Sequence, residues 1–598
     1  MQKLSNSVVR LLGLMSLVIS AGCANVVPVG AGSQAEWTGS MVVGQSTTRD
    51  KPLLQFRQGN LTHVRYSALQ TLTLHDFQSN KDVLVGLGDL DNATLDGIST
   101  FSADANMYVA WRSKLRARSD KGLGEGNDKM VYVARSTSGG AFSAPTRISN
   151  GNGAFPPILA GNKTGDVYAV WQDERAGASF DLHFNVSHDF GATWKEKDVR
   201  LDIGKESESF SGEPNLYAEG KSLWLTWVES GKNGCGVYVR TSVDSGESWF
   251  DAVEVAPCTS HQSLYPQLVY RKGQLFVYWF DQNKVRGAAS ADGGKTWNQL
   301  VHIATIEAEG VSMQELLVKA DSAGVVHLIF GKKGNAKGGR TNLYYTRSDD
   351  GAVFSPAARL NSGVEYESSA ILAQIAFDNA NRVQVAWQDY RFFRPIVMGN
   401  FSPDQGKTWE VDSILDSGPA SGASQFPHLV ANDAQWWLSY IHYDRASVNK
   451  MENGSVVVKQ IDPTKKTADS SPDKYKVDTS KLERRVEAWW ESRLKADWGA
   501  TYELMDPFMR ASTKKATYIA SQGFVNYYAY SIIRTELLTN NQAKVTLKFT
   551  SEVPEMEVNG KTYSVPKKET ELVQDWIWVD GNWYFLFKDL MGSNFREL

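Results

Sequence analysis

The 598-residue chain reads as a mainly β protein, a β-propeller followed by a small α+β domain. Three observations predict it. The turn pattern Ser-x-Asp-x-Gly-x-(Thr/Ser)-Trp occurs four times, at Ser187–Trp194, Ser242–Trp249, Ser290–Trp297 and Ser402–Trp409, with worn copies at Ser136–Phe142 and Ser348–Gly351. Apolar strands closing on an aromatic residue recur at Trp111, Trp171, Trp227, Trp279, Phe330, Trp387 and Tyr440, in steps of 51 to 60 residues, the length of a propeller blade. Beyond residue 479 the pattern changes to an amphipathic helix and then to hairpins with Asn-Gly and Asp-Gly turns.

Taken in order, Lys3 and Arg10 flank a short apolar run, Leu11 to Ile19, which has the make-up of an export signal and is too short for a stable span. Ser20-Ala21-Gly22-Cys23 resembles the bacterial lipobox, which implies cleavage after residue 22 and a lipidated Cys23; Ser20 stands where Leu is usual. Residues 23–50 read as a tether and 51–461 as the propeller. In the second unit, four strands are expected at Pro157–Ala160, Val167–Gln172, Asp181–Ser187 and Asp198–Ile203. Seven units predict seven blades, or six with a strand-rich appendage. The seventh unit, about Gln425 to Ile461, holds three strands, so its fourth is expected from within Pro52 to Leu87, closing the ring without a free edge. The recurrent aromatics are expected as core between blades.

Asp462 to Thr479, rich in Pro, Lys, Asp and Ser, reads as a linker. The last domain, 480–598, opens with Ser480-Lys-Leu-Glu483, an expected capping box for a helix carrying Leu482, Val486, Trp489, Trp490 and Leu494. A second helix near Gly499–Met505 precedes strands at Tyr527–Leu538, Lys544–Ser551, Glu571–Val579 and Trp583–Lys588. Helices ahead of a curved antiparallel sheet ending in Trp576-x-Trp578-x-Asp-Gly-x-Trp583 are similar to the cone-shaped fold of nuclear transport factor two and SnoaL-type proteins, a fold that settles no function.

Removing residues 1–22 takes away Lys3 and Arg10 and no acid, moving the net charge from −4 to −6, which predicts no general affinity for nucleic acid. No His/Cys cluster has zinc spacing and no P-loop or dinucleotide fingerprint occurs, so neither metal nor cofactor is expected. Cys235 and Cys258 flank the Gly246 turn almost symmetrically, which places them opposite one another and predicts a disulfide in an oxidising compartment.

The turn pattern resembles the Asp-box, the hairpin signature of sialidase-type propellers. Ser and Asp side chains accept from nearby backbone N–H groups, Gly supplies a positive φ, and Trp buries itself beside the turn. Asp189, Asp244, Asp292 and Asp404 are therefore read as structural. Strands alternate in direction, so the loops after second strands, with the blade-to-blade connections, lie on the face opposite the Asp-boxes. That face gathers Arg112, Lys114, Arg116 and Arg118, then Asp173 with Arg175, Asp281 with Lys284 and Arg286, Lys332, Lys333 and Arg340, Asp389 with Arg391, and Asp444 with Arg445. Arg175, Arg391 and Arg445 are the candidate anion-binding set, since guanidinium groups suit carboxylate or phosphate. The alternative is that Asp173, Asp389 and Asp444 simply brace them. The connections add Glu206, Glu208, Glu213, Glu307, Glu309, Glu365, Tyr366 and Glu367.

The sialidase resemblance implies three arginines on a substrate carboxylate, a Tyr nucleophile activated by Glu, and an acid/base Asp. Tyr366 with Glu213 or Glu367 supplies the nucleophile pair. Against an orthodox sialidase stand the seventh unit and the missing Arg-Ile-Pro element, for which Phe56-Arg57-Gln58 is the nearest string. Three readings follow. The favoured one is a lipid-anchored envelope protein, on the outer membrane and facing periplasm or cell surface, whose arginine face binds an anionic glycan, envelope polymer or protein partner. The others are an exo-acting sialidase-type glycoside hydrolase, and a scaffold docking a partner through the C-terminal domain.

Overall fold

A computed structural model of the chain describes residues 41–586 with short interruptions, the longest at 465–476. Cys23, Glu307, Glu309, Glu365, Tyr366, Glu367, Asp444 and Arg445 lie outside the described residues, as do the side chains of Arg116 and Arg118.

Among the described residues eight antiparallel sheets precede the C-terminal one, each of four strands and one with a short fifth. Blade 1 runs from Leu53 to Val85, blade 2 from Ala93 to Arg147, blade 3 from Ile158 to Arg200 and blade 4 from Phe210 to Pro257. Blade 5 runs from Gln267 to Thr305, blade 6 from Val311 to Arg359, blade 7 from Ala370 to Ile414 and blade 8 from Ala423 to Ile461. The first strand of every blade touches the first strand of the next, and that of blade 8 touches that of blade 1. The ring is closed by Met41–Ser46, which becomes the fourth strand of blade 8 with Met41 opposite Val458 and Ser46 opposite Gly454.

The count corrects the sequence-based one. The seven units are blades 2 to 8. The segment Pro52 to Leu87, expected to lend one strand, instead makes a whole blade, and the closing strand comes from the stretch read as tether. Blade 1 escaped notice because it has no Asp-box and carries Arg65 where the other second strands close on an aromatic, in its strand Asn60–Tyr66. Its first hairpin is set by Gly59 at φ 79°, with Arg57 paired to Asn60 across a tight turn.

The core is divided among the blade interfaces. Each of the eight interfaces has its own apolar cluster, from Val64, Leu72, Leu95 and Met107 between blades 1 and 2 to Val43, Val456 and Val458 against Leu54 and Leu61 between blades 8 and 1. The seven recurrent aromatics sit in these clusters and are at most 2% exposed. Truncating one to Ala would cost about 3–5 kcal/mol by the usual large-to-small penalty.

Each Asp-box is a self-contained turn. In blade 4 the Ser242 hydroxyl donates to Asp244 at 2.8 Å and accepts from Gly246 N–H at 2.9 Å, while Ser248 gives Asp244 its N–H at 2.9 Å and its hydroxyl at 2.5 Å. Asp189, Asp292 and Asp404 repeat this pattern. The boxes' tryptophans reach the preceding blade, as Trp249 does edge-on to Phe184 at 5.2 Å and Trp409 to Tyr345 at 4.7 Å. The predicted disulfide is present, Cys235 and Cys258 having Cα atoms 5.2 Å apart.

The C-terminal domain packs helices α1 (Ser480–Leu494), α2 (Trp498–Leu504) and α3 (Lys515–Ala520) with a four-stranded antiparallel sheet. Leu482, Val486, Trp489 and Trp490 face Ala543, Val545, Leu547, Trp576 and Trp583. The expected capping box does not form. Thr479 is the N-cap and makes no side-chain cap, and Ser480 bonds back to Asp478 by its N–H at 3.1 Å and its hydroxyl at 2.5 Å, because the carboxylate is the stronger acceptor. The sheet's central hairpin, Gln542–Val558 and Lys561–Val579, is longer than the sequence implied. The domain is fastened to blade 7 by a buried ion pair between Arg394 and Asp506 and by Asn541 Nδ2 donating to Phe392 O at 2.7 Å.

Candidate functional site

The loop face is built from one recurring local unit. At the end of the second strand of blade 3, Trp171 points inward and its Nε1 donates to Asp173 at 3.0 Å; in blade 7, Trp387 does the same to Asp389 at 2.8 Å. Two residues further on, the chain turns and its N–H caps that carboxylate, from Arg175 and Arg391 at 2.9 Å each. The arginine side chain then folds back. Arg175 bonds Asp173 at 2.6 Å and Asp198, from the fourth strand region, through both terminal nitrogens at 2.8 Å. Arg391 bonds Asp389 at 3.0 and 2.8 Å, Asp412 at 2.6 Å and Ser362 at 3.2 Å.

These charges are mutually committed. Asp173 and Asp389 are fully buried. Burial opposes the Arg175 charge, but the bonds and charges of Asp173 and Asp198 outweigh it and raise that pKa; Asp389 and Asp412 do the same for Arg391. Burial would likewise lift Asp198, yet bonds from His183 and Arg175 hold it well below the usual carboxylate range. Arg112 pairs with Asp96 at 2.5 Å through two nitrogens, Lys114 joins them at 3.0 Å, and Arg286 lies 3.2 Å from Asp281. Every one of these four described arginines therefore has a carboxylate partner within its own blade. The geometry follows the bracing alternative, not the anion clamp, for Arg175 and Arg391; Arg445 and Asp444 lie outside the described residues. Asp198 and Asp412 were missed from sequence. Their signal was an Asp four or three residues after an Asp-box Trp.

Glu213, a candidate for activating a nucleophile, is also occupied. It sits at φ 55° in a bulge of its blade's first strand, and its carboxylate accepts the N–H groups of Leu264 and Tyr265 in blade 5 at 3.0 and 2.6 Å. Glu315 repeats the arrangement with Leu372 and Ala373. This is a blade-to-blade clip. Tyr366 and Glu367 cannot be set beside it, lying outside the described residues. The Asp-box carboxylates stay on the opposite face; burial opposes ionisation of Asp189, but the bonds from Thr193 and Ser187 together outweigh it and hold its carboxyl down to about 2, as befits a turn acceptor.

The open space on the loop side of blade 4 was not anticipated. A cleft of about 780 Å³ there is lined by Glu208, Glu229, Tyr238, Glu254, four glycines and the Cys235–Cys258 bridge. The Tyr238 hydroxyl donates to Glu254 at 3.2 Å, and its ring stacks on Trp227 with centroids 5.8 Å apart. Burial and then the Glu254 charge push the Tyr238 phenol up to about 12, so it remains a donor at neutral pH.

No protein-family model matches the chain, and no curated protein matches it. Among solved structures it is similar to a protein of unknown function from Dyadobacter fermentans, with 14% identity and a TM-score of 0.35 over 64% of this chain and 97% of that one. It is similar to a Penicillium chrysogenum alpha-L-arabinanase complexed with arabinobiose, with 16% identity and a TM-score of 0.34 over 52% of this chain and 94% of that one. A mutant of NanB sialidase from Streptococcus pneumoniae shares 11% identity at a TM-score of 0.32 over 70% and 86% of the respective chains. The propeller assignment rests on this chain's own ring of sheets, since likenesses at this level transfer no function.

Proposed function

We propose that the protein is a non-catalytic binding or assembly module of the bacterial envelope, anchored through a lipid on Cys23 to the outer membrane. Its rigid propeller presents loops to a protein partner, and its C-terminal domain, similar in element order to nuclear-transport-factor-two-like folds, is a fixed part of the same body. One observation carries the reading. The described side chains that an anion-binding or glycosidase site would need are spent on the scaffold: Arg175 and Arg391 are locked by four acids, and Glu213 caps backbone amides of the next blade. A guanidinium already sharing two carboxylates has little left for a substrate carboxylate.

The test is an acidic-glycan array probed with the full chain and with Arg175→Lys and Arg391→Lys proteins. The reading expects no acidic glycan to be retained through these residues. Retention by the unaltered protein that disappears in folded Arg→Lys variants would overturn it.

A further inference from the structure

Blade 4 carries the same local unit as blades 3 and 7 with one part missing. Trp227 Nε1 donates to Glu229 at 2.9 Å, as Trp171 and Trp387 do to Asp173 and Asp389. Four residues after the tryptophan stand Arg175 in blade 3, Arg391 in blade 7, and Gly231 in blade 4. Where the two arginines fold back over their carboxylates, blade 4 has the cleft, and Gly231, Gly234 and Gly236 in its wall leave the space open.

We infer that this cleft receives the guanidinium of an arginine side chain presented by a partner protein, in the role that Arg175 and Arg391 play within their own blades. The inference rests on the binding-module reading and names the chemistry of its partner. Glu229 is 7% exposed, and among the described residues its carboxylate is met by neutral donors, the hydroxyls of Ser209 and Ser211 and the Trp227 indole. Ser211 also bonds Asp202 at 2.9 Å, and Arg200 lies 2.8 and 3.3 Å from Asp202 and Asp181. Glu229 and Asp202, both buried and bridged by Ser211, thus lack among the described residues the shared arginine that the acid pairs of blades 3 and 7 have. That lack also shows in Asp202, whose carboxyl is pushed up to about 6 by burial above all, with Asp181 adding to it against Arg200. At the mouth, Glu254 is exposed and Lys205 lies 3.4 Å from Glu208. The Tyr238 ring, backed by Trp227, offers a flat wall on which a guanidinium stacks better than an ammonium.

The experiment titrates the full chain with Nα-acetyl-arginine methylamide and with its citrulline counterpart, a neutral near-isostere, followed by ligand-observed NMR. Arginine should bind and citrulline should bind at least about tenfold more weakly, because the charge-assisted contact is lost. Glu229→Gln and Glu254→Gln should each weaken arginine binding several-fold with the melting temperature monitored; Glu254 is exposed, so its variant decides the matter if Glu229→Gln fails to fold. Equal binding of the two compounds, arginine binding indifferent to Glu254→Gln, or no binding of arginine overturns the inference. The last result leaves the binding-module reading standing, whereas acidic-glycan retention through Arg175 and Arg391 removes that reading whatever the titration shows.

Discussion

Arg175 illustrates how a residue chosen for ligand chemistry can be held by its own fold. Its neighbours Asp173 and Asp198 are 0% and 4% exposed at the side chain. Arg175→Ala should therefore leave two buried carboxylates without their shared arginine and cost about 3–5 kcal/mol, as breaking buried pairs does. Arg175→Lys should recover part of that, since an ammonium restores charge but not the fork. Urea denaturation of the purified variants checks both, and an Arg175→Ala protein as stable as the parent would contradict the brace. Asp202 gives the opposite signature. Its folded pKa, raised to about 6, exceeds the value of about 3.9 in an unfolded chain. Between those values the folded state holds more protons, so this group's contribution falls as pH rises from about 4 to about 6. Asp202→Asn should remove that loss and gain on the order of 1–3 kcal/mol relative to the parent on going from pH 4 to pH 7. Denaturation midpoints at the two pH values test it; a gap that does not change with pH would refute the assignment.

Among elements, the Asp-box was legible because everything it needs lies within eight consecutive residues. Asp244→Ala should cost about 1 kcal/mol, the worth of a side-chain cap or turn acceptor, and leave partner binding untouched. Thermal melting together with a binding titration checks this; lost affinity at an unchanged melting temperature would speak against a purely structural role. The arginine braces were harder to read for the converse reason, their one local mark being the Asp that follows an Asp-box Trp by three or four residues. Asp198 and Asp412 reach Arg175 and Arg391 from 23 and 21 residues downstream, across a strand pairing that no local pattern specifies. Blade 1 was hidden because its second strand carries Arg65 at the position, five residues past the hairpin, where other blades place a closing aromatic. The capping box failed through competition from Asp478, two residues before the motif.

For the whole molecule, closure depends on joining the two ends of the propeller, the strand Met41–Ser46 lying against Gly454–Ile461. The C-terminal domain is then held to blade 7 by Arg394 and Asp506, whose side chains are 3% and 1% exposed. Neither residue belongs to a sequence motif, so the sequence announced two domains but not their fastening. Arg394→Ala should remove the cation from beside the buried Asp506 carboxylate, cost about 3–5 kcal/mol, and loosen the domain. Hydrogen exchange should report faster exchange around 505–506 and 541 while blades 2 to 6 stay protected; uniform protection would mean that the ion pair fastens nothing.

The central claim is that this propeller binds and does not hydrolyse. Incubating the full chain with a fluorogenic sialoside tests it most directly. The account predicts no turnover above the protein-free blank. Turnover that is lost on Tyr366→Phe in a protein with an unchanged melting temperature would contradict it.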